Sequence, residues 1–254
     1  MASGNKLIGL IGYPLGHSFS NKYFTDKFDK EGIEGYTHRN FELETADALP
    51  GLIKAHPELI GLNVTIPHKV NVIPCLDHLD ATANSIGAVN TIRIQDGILE
   101  GFNTDHYGFA ESLRSWAGPS LKTMKRALIL GTGGASKAVQ VALNDLGLKV
   151  RYVSRSAGAD NYTYDQLIEQ PEVLEEYHLI VNCTPLGTFP DIDSKPRIPY
   201  EVLGKNHYLY DLVYNPEQTA FLSAGRERGA HIKNGLQMLH LQAEKSWEIW
   251  MGAF

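Results

Sequence analysis

The chain has 254 residues, 43% of them hydrophobic and 20% charged, a balance ordinary for a soluble globular protein and unlike a disordered one. A formal charge of −6 argues against nucleic acid as a partner, because phosphate backbones are bound by a basic field. The two cysteines, Cys75 and Cys183, are too few for a disulfide framework, and no His, Cys or Asp cluster has zinc spacing. Neither a signal-peptide pattern nor an apolar run of about 18 residues is present, so a soluble, cytoplasmic protein without membrane or metal is expected.

In chain order, "KLIGLIGYP" reads as a buried strand ended by Gly12 and Pro14. After "LGHS", a helix carries Tyr23, Phe24 and Phe28 on one side, with Ser20 as a candidate cap and Gly32 beyond its end. "THRNFEL" is a second strand, and a brief helix follows from Leu49 to Ala55 with Pro50 in its first turn. "LIGLNVTI" is a third strand, placing Asn63 and Thr65 on one face and Leu62, Val64 and Ile66 on the other. "PHKVNVI" then opens a helix with Lys69 in its first turn. A short helix from Asp80 to Ser85 leads into "GAVNTIRIQDGILEGF", a hairpin about Asp96–Gly97 that makes this first sheet mixed. A helix starts at "GFNTDHYGF", and beyond the turn-rich "WAGPSLKTMK" the pattern restarts.

"RALILGTGGASKAVQVALNDLGLKVRYVSRS" gives strand, glycine turn, helix and second strand, with Ala138, Val139, Ala142, Leu143 and Leu146 on one helix face. Gly131, Gly133 and Gly134 let the backbone approach a pyrophosphate at the helix N-terminus, and Ser136 is small enough for tight packing. An NAD site places an acid about 20 positions on. Here the second strand ends in Ser154, Arg155 and Ser156, and Arg155 suits a 2′-phosphate, so NADP is predicted. "HLIVNCTPLG" and "YLYDLVYNP" repeat the form of an apolar strand feeding a loop, the edge at which a parallel sheet binds ligands. The closing helix has Leu236, Leu239, Ala243, Trp247 and Trp250 on one side, with Gln242 a step off that stripe.

These motifs together resemble the shikimate dehydrogenase family. Its early SxS is matched by "GHSFS", its NVTxPxK by "NVTIPHK" and its GxNTDxxG by "GFNTDHYG". "GAVNT", "NCTPLG" and "DLVYNP" match further motifs in the same order, and the glutamine of the closing helix matches Gln242. Two departures stand out: Thr132 replaces the usual alanine of GAGGA, and the second basic residue of the family's NRTxxR patch has no counterpart after Arg155.

The resemblance implies reversible transfer of hydride between the C3 position of shikimate and NADP. It implies Lys69 as acid/base with Asp105 as its partner, since a carboxylate is normally too weak a base for an alcohol proton. Ser18, Ser20 and Tyr214 are expected to bind the substrate carboxylate, and Asn63, Thr65, Asn90 and Gln242 its hydroxyls. The expected cofactor contacts are Gly131, Gly133, Gly134, Ala135, Ser154, Arg155, Thr184, Leu212 and Gly235. The fold implied is two α/β domains with a cleft between: a mixed-sheet substrate domain, 1–104 with 232–254, and a Rossmann-like parallel-sheet nucleotide domain, 105–231. A monomer or homodimer is expected. The rival readings are a quinate/shikimate dehydrogenase using NAD and a non-catalytic nucleotide-binding module.

Overall fold

The computed structural model describes residues 5–16, 19–158 and 161–252. Contacts divide the chain into two compact units, Met1–Thr104 with Ala243–Phe254, and Asp105–Gln242. The sequence reading sets the second boundary at 231/232. Contacts put it inside the closing helix, which runs unbroken from Leu236 to Met251.

The first unit contains β1 (Lys6–Gly12), α1 (Phe19–Glu31), β2 (Tyr36–Glu42), α2 (Leu49–Ala55), β3 (Leu59–Val64), α3 (His68–Asn71), β4 (His78–Leu79), α4 (Ala81–Ile86), β5 (Thr91–Gln95) and β6 (Ile98–Phe102). Its sheet runs β2-β1-β3-β5-β6-β4. β1 pairs in parallel with β2 and β3, whereas β5 is antiparallel to both β3 and β6. The β5–β6 hairpin turns on Asp96 and Gly97, at φ 54° and 79°, the double positive φ that a tight two-residue hairpin requires.

β1 reads as a continuous apolar run because both its faces are covered. Leu7 and Ile11 pack with Leu62, Val64 and Ile92 on one side, and Ile8 packs with Phe24, Phe28 and Trp250 on the other. Asp80 caps α4, its carboxylate accepting from the amides of Thr82 and Ala83.

The second unit contains α5 (Thr104–Ala117, its first residue belonging to the first unit), β7 (Arg126–Leu130), α6 (Gly134–Asp145), β8 (Lys149–Ser154), β9 (Asn161–Thr163), α7 (Tyr164–Glu169), β10 (Leu179–Asn182), β11 (Tyr208–Asp211), α8 (Ala220–Glu227), β12 (His231–Lys233) and the start of α9 (Leu236–Met251). The sheet order is β12-β11-β10-β7-β8-β9, every pairing parallel. Clusters built on Ile129 and Val181 and on Leu128 and Ile180 bury its two faces, as a doubly wound sheet requires. No helix among the described residues is long and apolar enough to cross a membrane.

Several expected details differ. Ser20 lies inside α1 rather than capping it. β3 stops at Val64, and Ile66 is 75% exposed rather than on the core face. The helix expected from "PHKVNVI" is only His68–Asn71, because Pro74 has no N–H with which to continue it and the chain passes into a 3₁₀ turn, Ile73–Cys75. In α9 the buried side chains are Met238, Gln242, Ala243, Ser246, Ile249 and Trp250, while Leu236 is exposed. Ala243 and Trp250 of the expected stripe are buried and Trp247 packs beside them, but the polar Gln242 and Ser246 share the buried side, which hydrophobic spacing does not reveal.

Candidate active site

In the first unit the chain leaving β3 forms a short, pinned turn. Thr65 N–H donates to Ile11 O at 2.9 Å and His68 N–H donates to Thr65 O at 2.9 Å. The His68 imidazole is 1% exposed and its Nε2 lies 2.6 Å from the carbonyl oxygen of Leu43. A carbonyl can only accept, so the ring proton sits on Nε2. The backbone of half-buried Lys69 is tied next, its carbonyl accepting from Val89 N–H at 2.7 Å.

Val89 leads directly into Asn90, which is 2% exposed. Asn90 Oδ1 accepts from Thr104 N–H at 2.6 Å, and its Nδ2 donates to Thr104 Oγ1 at 2.9 Å. Asp105, itself 7% exposed, is the next residue in the chain and opens the first turn of α5. Asn63 joins the cluster through Ser246 of α9: Nδ2 donates to Ser246 Oγ at 3.0 Å, and Ser246 Oγ is also within 2.8 Å of Thr91 Oγ1 and 3.2 Å of Thr104 Oγ1. The Oδ1 of Asn63 has no protein partner.

Backbone ties and this buried network thus link Asn63, Thr65, Lys69 and Asn90 within one unit. Ser20 sits half-buried in α1, and Ser18 lies outside the described residues. The other expected substrate residues belong to the second unit. Gly108 of α5 packs on α9 so closely that a Cβ there would lie 2.7 Å from Met238 O and 3.0 Å from Gln242 N, which sets the start of α5 beside Gln242. Tyr214, in the loop after β11, is 37% exposed.

The order of the second sheet reverses between β10 and β7, and the crevice beyond the strand ends at such a reversal is where doubly wound sheets bind nucleotides. Gly131 at the end of β7 has φ 94°, and a Cβ on it would fall 2.8 Å from Thr184 Cγ2, so only glycine fits the turn. Gly133 is the N-cap of α6 with no side-chain cap, and the space above Gly133 and Gly134 is open. Free helix N–H groups facing open space suit a pyrophosphate.

A cavity of about 760 Å³ is lined there by Gly131, Gly133, Ser154, Arg155 and Thr184, among others, in a volume suited to a cofactor. These residues therefore fit a bound dinucleotide. Gly134 and Ala135 form the first turn of α6. Leu212 and Gly235 meet each other instead: a Cβ on Gly235 would overlap the Leu212 carbonyl, and Gly235 N–H donates to Val213 O at 3.2 Å.

The loop carrying Thr184 is latched from behind. Asn182 Oδ1 accepts from Thr184 N–H at 3.0 Å and Thr184 Oγ1 at 2.6 Å, while Asn182 Nδ2 donates to Asp211 Oδ1 at 2.9 Å. Asp211 also accepts from Val213 N–H and Thr219 Oγ1. Burial raises its pKa to about 6 against the opposing pull of these three donors. The sequence reading missed Tyr164, Asp165, Lys195 and Arg197, which also line the cavity. Thr163 and Gln166 form a capping box that marks the start of α7, but Lys195 and Arg197 stand in a polar loop with no local signal. No group of three His, Cys, Asp or Glu side chains among the described residues is placed to hold a metal ion.

A glycine-turn dinucleotide unit, joined in one chain to a mixed-sheet unit with a buried polar cluster, defines a dehydrogenase of the nicotinamide-dependent class. Residues 10–92 match the family model described as the shikimate dehydrogenase substrate binding domain. The chain is 36% identical over 263 residues to the shikimate dehydrogenase (NADP(+)) of Methanococcus maripaludis strain C6, covering 98% of this chain and 93% of that relative. It is similar to a crystal structure of a shikimate dehydrogenase in complex with NADP+, at a TM-score of 0.87 and 32% identity, covering 98% and 90% of the two chains. It is also similar to shikimate 5-dehydrogenase from Listeria monocytogenes in complex with shikimate and NAD, at a TM-score of 0.86 and 27% identity, with 98% and 92% covered. The chain belongs to the shikimate dehydrogenase family.

Proposed function

We propose that this chain interconverts shikimate and 3-dehydroshikimate with NADP, the mixed-sheet unit and the start of α5 serving the substrate and the parallel-sheet unit, residues 105–242, serving the cofactor. The observation that carries the reading is the buried network of the first unit, which ties Asn63, Asn90 and the backbone of Lys69 to the residue preceding Asp105. Shikimate is a compact carboxylate with three hydroxyls, so its site needs paired donors and acceptors more than apolar area. The unpartnered carbonyl of Asn63 supports a hydroxyl-binding role for that residue.

Bound NADP supplies the hydride acceptor or donor. The protein then has one proton to manage. In the oxidation direction the neutral amine of Lys69 takes the C3 hydroxyl proton as hydride leaves the same carbon. In reduction its ammonium returns a proton to the forming alkoxide. Asp105 orients the lysine and accepts from a ring hydroxyl. Thr65, Ser18, Ser20, Tyr214 and Gln242 complete the polar contacts to substrate. Gly131, Gly133 and Gly134 admit the pyrophosphate, with Ala135 and Thr184 beside it, Leu212 and Gly235 beyond, and Ser154 and Arg155 at the adenosine end. With Cys75 and Cys183 both free thiols, we place the protein in the reducing cytoplasm.

A grid of shikimate and quinate against NADP and NAD tests the reading: shikimate with NADP is expected to give the highest kcat/KM. Lys69→Ala should lower kcat about 10²- to 10⁴-fold with little change in KM. Near-normal turnover in that variant would remove Lys69 as the acid/base. Activity with none of the four pairs would leave only a nucleotide-binding module.

A further inference from the structure

The stretch after β8 offers one basic residue, Arg155, where a 2′-phosphate is expected to bind, and one guanidinium leaves a dianion half neutralised. Two further cations, Lys195 and Arg197, line the same cavity from the distant loop that follows β10. They are presented by a built scaffold. Pro196, Ile198 and Pro199 are buried, and Lys195 and Arg197, alternating with Pro196 and Ile198, are exposed.

The backbone between them is fixed. Tyr200 Oη donates to Pro196 O at 2.7 Å, and Ile198 N–H donates to the same oxygen at 3.1 Å. Upstream, Gly187 N–H donates to Ser194 Oγ at 2.9 Å. The Lys195 ammonium lies 4.7 Å from the centroid of the Tyr200 ring, which limits where it can go. Arg197 is paired with Asp165 at 2.7 Å, so part of its charge is already met. The charged groups lining the cavity are then Arg155, Lys195 and the Arg197–Asp165 pair, an excess of two positive charges.

We infer that Lys195, seconded by Arg197, is the second cationic contact to the 2′-phosphate of NADP and so a determinant of NADP over NAD. This rests on the NADP reading above. The patch that the local sequence lacks after Arg155 is supplied across the cavity from another loop. A lysine is a compact charge on a flexible stem and needs no fixed fork to meet a phosphate.

Isothermal titration calorimetry with NADP and with NAD, at low and at moderate salt, tests it on the wild type, Lys195→Gln, Arg197→Gln and Arg155→Ala. Lys195→Gln should raise the Kd for NADP about tenfold, leave that for NAD within about twofold, and flatten the salt dependence of NADP binding. Arg197→Gln should act in the same direction by less, because Asp165 already shares its charge. If the wild type prefers NADP and Arg155→Ala weakens that preference but Lys195→Gln does not, the assignment of Lys195 is overturned and the NADP reading stands. If the wild type binds both cofactors equally, both fall together.

Discussion

Asp211→Asn isolates the cost of one buried charge. In the folded protein the carboxyl is fully buried and its pKa stands at about 6, against an ordinary 3.8. The folded state therefore holds the proton more tightly than the unfolded chain. The stabilisation associated with that proton is complete below about pH 4 and is lost as the pH rises through about 6. A difference of about 2 between the two pKa values corresponds to roughly 3 kcal/mol, of which about 2 kcal/mol falls between pH 4.5 and 7.

Asparagine keeps an acceptor for Asn182 Nδ2 and Val213 N–H, and its amide can donate to Thr219 Oγ1, whose proton then turns away. Its fixed cost is independent of pH. Urea unfolding of both proteins at steps from pH 4.5 to 7 gives the difference in stability at each pH, in which every other titrating group cancels. That difference should move by about 2 kcal/mol in favour of the variant as pH rises. A flat difference would show that the three donors fully offset the burial of the charge.

Two further outcomes test the first unit. Ser246→Ala removes the hydroxyl shared by Asn63, Thr91 and Thr104, while Asn90 Oδ1 still accepts from both threonines. A loss of about 1 kcal/mol in stability is expected, with a several-fold rise in KM for shikimate and none for NADP, as steady-state kinetics will show. Gly61→Ala would push a methyl group into the indole of Trp250, whose N–H donates to Ile92 O at 2.9 Å. Displacing that ring should cost about 3 kcal/mol, read as a lower urea midpoint.

The strands most legible in the sequence were those buried on both faces. β1, β7 and β10 are unbroken apolar runs, and Gly131 marks the turn after β7 because no side chain fits beside Thr184. The motifs around Asn63, Lys69 and Asn90 were visible as patterns, but their connection was not. It runs through Ser246, nearly at the other end of the chain, which looks like any polar residue on a helix. Asn182 and Asp211 belong to conspicuous motifs yet serve to latch the Thr184 loop. Lys195 and Arg197 gave no signal, since a polar loop with two cations looks like solvated surface until the fold folds it over the cavity. β4, two residues long, is too short for any alternation to reveal it.

The split composition of the first unit also dictates an order of assembly. Its apolar layer beneath Ile8, Phe24 and Phe28 is filled by Ala243, Ile249 and Trp250, the last part of α9 to leave the ribosome. Residues 105–242 are contiguous and can close their own sheet during synthesis, whereas residues 1–104 must wait for the later segment that starts at Ala243. A released chain ending at residue 242 would hold the whole nucleotide unit beside an open, hydrophobic first unit, a form exposed to chaperones and proteases.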